Sequence, residues 1–198
     1  MTEQAIQYPT MIQALWRNQG LLHKLLLVFG GSLLLTLSAK VSIPFYPVPM
    51  TMQTFVVLAI GFAYGWKMAA TTVILYLAYG VFNLPVFAGT PEKGIGWAYM
   101  TGSTGGYLLG FVMAAALCGW LAEKGWDRSM GKTFAAMVLG NLVIYALGLL
   151  WLGSLFGWDK PILEWGMYPF LMGDLFKIVL AMLVIPAAWK VINKDKQV

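Results

Sequence analysis

Gly173-Asp174-Leu-Phe-Lys177 sets a carboxylate and an ammonium three residues apart inside the last long apolar run of this 198-residue chain. A spacing of three puts both groups on one face of a helix. Either charge alone costs on the order of 3 kcal/mol at mid-membrane, and ionisable groups in such runs usually face a cavity or a partner. Asp174 offers oxygens that accept N–H donors, and Lys177 offers an ammonium to a carboxylate. A small solute carrying both features suits the pair. The competing interpretation is an ion pair that only fixes helix packing.

Other groups are weaker candidates. Gly102-Ser-Thr104-Gly-Gly106-Tyr107 opens a later apolar run, where free helix N–H groups and close backbone approach can hold an anion or a polar ring, although a plain loop-to-helix junction explains it equally well. Gln53, Asn83 and Asn141 are amides near or within apolar runs, and each is by default an interhelical hydrogen bond of about 0.6 kcal/mol. Gln53 follows a proline-rich stretch at the same end as the charged pair, which makes it the best-placed extra ligand contact. Tyr46, Trp97 and Tyr107 can line a pocket there, whereas Trp66, Trp120, Trp158 and Trp189 suit membrane interfaces.

Gly125-Trp-Asp-Arg-Ser-Met-Gly-Lys-Thr133 superficially resembles a phosphate-binding loop, but that motif needs four residues between its glycines, and this one follows an apolar run rather than a strand. No carboxylate dyad, no histidine other than His23 at the edge of the first run, and no Ser or Cys beside a base is present in the runs, which leaves few groups for catalysis. Cys118 stands alone, so neither an intrachain disulfide framework nor a cysteine metal site can form.

The elements that carry these groups belong to a bilayer. Sixty per cent of the residues are apolar and 11% charged, against roughly 25% charged in soluble domains. Apolar runs lie near 21–41, 51–66, 68–87, 105–122, 134–156 and 168–190, lengths that suit spans of about 20 residues. They predict an all-α integral membrane protein of six transmembrane helices in a single transmembrane domain, residues 1–198. Gly65-Trp66-Lys67 leaves room only for a tight hairpin between the second and third runs. The stretch from Met1 to Gly20 lacks the pattern of a signal peptide, so the first run is expected to be a retained span.

With both termini cytoplasmic, the inner side carries Arg17, Lys24, Lys67, Lys124, Arg128, Lys132, Lys190, Lys194 and Lys196, and the outer side Lys40, Lys93 and Lys160. Nine against three is the positive-inside pattern, and it accounts for the net charge of +5 without a nucleic-acid partner. Gly30, Gly31, Ser32 and Ala114 to Ala116 permit close helix approach, within the chain or to a partner subunit. Two outer segments cannot be continuous helix. Residues 42–50 hold Pro44, Pro47 and Pro49 and form a stiff extended lid; residues 86–106 are glycine-rich and form a pliable one.

Tyr46-Pro-Val-Pro-Met-Thr-Met-Gln-Thr54, Gly80-Val-Phe-Asn-Leu-Pro-Val-Phe-Ala-Gly89, Thr104-Gly-Gly-Tyr-Leu-Leu-Gly-Phe111 and the Asp174/Lys177 pair, in that order, resemble the BioY family. Its members are the substrate-binding S components of energy-coupling-factor (ECF) biotin transporters. The resemblance runs from the first span to the sixth. It implies six spans, an outward-facing pocket closed by the two lids, and biotin binding, with Asp174 on the ureido ring and Lys177 on the valerate carboxylate. It also implies an Asn contact, with Asn83 in a matching motif, and a further carboxylate partner, with Lys93 as candidate. The substrate-binding set is then Asp174, Lys177, Tyr107, Gly106, Thr104, Gln53, Gly89 and Asn83, with no catalytic or metal residues and no cofactor.

The same resemblance implies a transmembrane coupling subunit and ATPase subunits as partners, with membrane lipid around a multi-pass chain in the cell inner (cytoplasmic) membrane. The expectation is a biotin transporter subunit and not an enzyme. The alternatives are an S component for a different carboxylate-bearing vitamin, an integral-membrane enzyme using Asp174 as acid or base, and a scaffold in which the charges merely pair. The scarcity of further polar groups near Asp174 argues against the enzyme.

Overall fold

Proline and glycine punctuate an otherwise apolar chain, and the helices run between them. The computed structural model describes residues 8–16 and 20–194. Of the residues named above, Met1, Arg17 and Lys196 lie outside the described ones. A short α1 (Met11–Leu15) opens on a Thr10/Gln13 capping box, and α2 (Leu21–Lys40) follows. Ile43 precedes Pro44 and is thereby driven to extended backbone. There Ser42–Ile43 (β1) pairs antiparallel with Met50–Thr51 (β2), Ser42 opposite Thr51 and Ile43 opposite Met50. The proline-rich lid is therefore a small closed ribbon.

The hairpin of α3 (Gln53–Tyr64) and α4 (Trp66–Val81) turns on Gly65 alone, at φ +77°. A Cβ there meets Glu123 Oε1 at 2.5 Å and the Thr10 methyl at 2.8 Å, so both conformation and space require glycine. At 1.5 Å per residue, the 12 residues of α3 and 16 of α4 cover about 18 and 24 Å, less than the roughly 30 Å hydrocarbon core. The apolar run expected to reach Phe87 stops being helical at Val81. Asn83 adopts φ +63° and Pro85 has no N–H to continue the ladder.

After α5 (Gly96–Met100), α6 (Gly105–Ala122) forms the centre of the bundle, packing on α3, α4 and α7 (Met130–Phe156). Its apolar window is 61% buried, against 28% for the peripheral α2. Ala114 and Ala115 are fully buried inside it. Gly31 packs on Thr72 and Tyr64, while Gly30 faces open space. A 3-10 turn at Trp126–Arg128 joins α6 to α7, and α8 (Ile162–Gly166) leads into α9 (Tyr168–Lys194). Among the described residues, four helical stretches are long and apolar enough to cross a membrane: Leu21–Lys40, Gly105–Ala122, Met130–Phe156 and Ile162–Asn193.

Candidate binding site

Asp174 and Lys177 lie on the second and third turns of α9, and the bundle buries both, at 5% and 8% exposure. They meet: Lys177 Nζ donates to Asp174 Oδ1 at 2.9 Å, to Thr54 Oγ1 at 2.9 Å and to the Thr51 carbonyl at 2.7 Å. Thr54 Oγ1 in turn donates to Asp174 Oδ1 at 3.2 Å, and the Tyr145 hydroxyl donates to Asp174 Oδ2. Every N–H of the ammonium and both carboxylate oxygens thus have partners, which is how a charge pair survives removal from water. The partners come from α3, from the end of the first lid, and from α7.

The network forms one wall of a cavity of about 60 Å³. Val48, Pro49, Met50 and Thr51 of the first lid cover it, and Ala88 of the second closes a side. Gln53, Tyr99, Thr104, Tyr107, Phe111, Ile144 and Phe170 complete the walls. The arrangement is a largely apolar, aromatic chamber with a charged, hydrogen-bonding wall, suited to orienting a small ligand by a few polar contacts. Two further ties hold its shape. Tyr107 donates to the Gly166 carbonyl at 2.8 Å, and Ser103 Oγ donates to Pro47 O at 2.7 Å, linking the two lids.

Five of the eight expected residues border this cavity: Asp174, Lys177, Tyr107, Thr104 and Gln53. Gly106 instead sits where α6 meets α7, its Cβ position 2.3 Å from that of Trp151. Gly89 turns the second lid at φ +69°, and Asn83 is exposed at the end of α4, so neither borders the cavity. Tyr46 and Trp97 point away from it, at 84% and 65% exposure. Tyr145 and Thr54 were not legible as site residues. A mid-span tyrosine whose hydroxyl needs a partner was the available signal for the first; a lone threonine after Gln53 offers none. Among the described residues, no group of three His, Cys, Asp or Glu is placed to hold a metal ion.

The model of the BioY family matches residues 9–194. The chain is similar to the Biotin transporter BioY of Thermotoga maritima, at 38% identity over 151 residues, which cover 76% of this chain and 86% of that protein. It is 32% identical over 152 residues to the Probable biotin transporter BioY of Pyrococcus horikoshii, again across 76% and 86% of the two chains. Among solved structures it shares the fold of the S-component for biotin from an ECF-type ABC transporter, with a TM-score of 0.68 and 22% identity over 85% of this chain and 92% of that one. With a family match across nearly its whole length and relatives of this similarity, the chain belongs to the BioY family.

Proposed function

We propose that this chain is the biotin-capturing membrane subunit of an ECF-type importer: it binds the vitamin at its outer end for uptake driven by ATP hydrolysis on separate subunits. The observation that carries this reading is the buried Asp174–Lys177 pair on the wall of a lidded cavity. Biotin has a carboxylate for the ammonium and ureido N–H donors for the carboxylate, and its fused rings suit the aromatic walls. The cavity of about 60 Å³ is far below the roughly 300–1,000 Å³ usual for ligand sites. Its walls therefore part on binding, and the ligand carboxylate takes the place of Thr51 O or Thr54 Oγ1 at Lys177.

In this reading Tyr107, Thr104 and Gln53 contact the ligand directly. Gly106, Gly89 and Asn83 act through the backbone, by seating α6 on α7, turning the second lid and ending α4. The chain is one domain crossing the cytoplasmic membrane six times with both termini inside. It sits in membrane lipid and works with a transmembrane coupling subunit and a pair of ATPases. It is a transport protein, and Asp174 binds rather than catalyses.

Titration calorimetry on the purified protein tests this. Biotin binds, other vitamins do not compete, and biotin methyl ester binds roughly tenfold to a hundredfold more weakly, the difference between a charged and a neutral acceptor at Lys177. Lys177→Met remains folded by size-exclusion chromatography and loses biotin. Equal affinity for acid and ester removes Lys177 from this role; tighter binding of another vitamin replaces biotin as the substrate.

A further inference from the structure

Six consecutive carbonyl oxygens at the start of the second lid, from Pro85 just before it to Thr90, each accept a hydrogen bond, although the segment is neither helix nor strand. Loops usually leave such groups to water. Lys40, the last residue of α2, supplies three of the bonds: its Nζ donates to Pro85 O at 2.8 Å, Phe87 O at 2.9 Å and Thr90 O at 3.2 Å, with Thr90 Oγ1 also at 3.0 Å. The Tyr76 hydroxyl donates to Val86 O at 3.2 Å, the Tyr99 hydroxyl to Ala88 O at 2.9 Å, and Lys93 N to Gly89 O at 2.9 Å. Glycine content alone predicts a pliable segment; it does not predict that these donors meet its carbonyls.

The ammonium has four oxygens within reach and only three N–H bonds. Three carbonyls and a hydroxyl thus converge on one ammonium, although Lys40 is itself an exposed residue. The lid so held meets the ligand cavity in two ways. Ala88 lines it, as does Tyr99, the donor to Ala88. Gln53, also on the cavity wall, donates from Nε2 to the Tyr76 hydroxyl at 2.7 Å, and the Tyr76 hydroxyl in turn donates to Val86 O. Phe87 is wedged beneath, stacked on Tyr99 with centroids 4.8 Å apart and lying where a Cβ on Gly80 would be 2.0 Å from its ring.

We propose that Lys40 is a positioning residue for ligand binding: its ammonium serves as a built-in cation that holds residues 85–90 as a rigid wall, against which the ligand is packed. The proposal rests on reading the cavity as the ligand site. It gives Lys40 a role that its count among the outer lysines does not, since a lysine that merely marks topology leaves the lid unchanged when removed.

The test uses Lys40→Ala in the full chain. Hydrogen–deuterium exchange on the ligand-free protein is expected to show the amides of residues 86–90 and 92–94 exchanging at least about tenfold faster than in the wild type, with α6 and α7 unchanged. Biotin dissociation is expected to accelerate by at least tenfold. Millimolar n-propylammonium, which can refill the oxygen cage, restores both readings, whereas tetramethylammonium at equal ionic strength restores neither. Unchanged lid exchange overturns the proposal, and so does faster exchange spread through the whole bundle or failure of n-propylammonium to restore the lid. Wild-type protein that does not bind biotin refutes the reading of the site, and the exchange of the lid then still decides the role of Lys40.

Discussion

Asp174 is held by three donors from three different elements: Lys177 from its own helix, Thr54 from α3 and Tyr145 from α7. A buried carboxylate oxygen that loses its only donor costs about 1–3 kcal/mol. Tyr145→Phe keeps the ring and its packing and removes only the donor to Oδ2. It is expected to destabilise the protein by about 1–3 kcal/mol, read as a lower melting temperature in detergent. Because the same oxygen now has a free lone pair, ligand N–H groups still find an acceptor, so biotin affinity falls less than in Lys177→Met. A Tyr145→Phe protein as stable as wild type shows that the hydroxyl contributes nothing to holding Asp174.

Packing between elements depends on a second buried carboxylate, far from the cavity. Asp127, in the 3-10 turn before α7, accepts from Trp189 Nε1 of α9, and its Oδ1 lies 3.8 Å from Arg128 Nε. The Arg128 guanidinium stacks over the rings of Trp189 and Tyr8, at 4.2 and 4.7 Å from their centroids, and donates to Pro9 O at 3.2 Å. One turn thereby ties the chain's beginning to its last helix. Burial raises the Asp127 carboxyl from 3.8 to about 6, with the Trp189 hydrogen bond and the Arg128 charge opposing the shift. The folded protein therefore binds this proton more tightly than the unfolded chain. The resulting stabilisation is complete below about pH 4 and is lost as pH rises through about 6. Melting temperature is expected to decline across that window, and Asp127→Asn to flatten the decline. An unaltered slope in the variant assigns the pH dependence to other groups.

The asymmetry of the whole molecule lies in its two ends. One end carries both lids and the cavity; the other carries the α3–α4 turn and the Asp127 cluster. The orientation proposed above makes the first end external. Cysteine labelling checks it, since the native Cys118 is fully buried and gives little background. Lys93→Cys and Lys160→Cys are expected to react with an impermeant maleimide in intact cells, and Lys67→Cys and Lys132→Cys only after permeabilisation. The reverse pattern inverts the topology and puts the cavity on the inside.

The linear sequence determined what is local or additive. Hydropathy marks the apolar helices because each residue's cost in hydrocarbon adds along the run. Helical spacing pairs Asp174 with Lys177 because i and i+3 are neighbours on any helix. Proline and glycine mark the lids because they act on their own backbone. Tertiary structure alone decided which groups answer those charges. Thr54 and Tyr145 lie 120 and 29 residues from Asp174 and reach it only through the packing of α3 and α7 against α9. The same holds for the second lid: its composition reads as pliable, and only the fold brings Lys40, Tyr76 and Tyr99 onto its carbonyls. A hydrogen bond across such distances leaves no trace in residue spacing, because it is set by the fold and not by the chain.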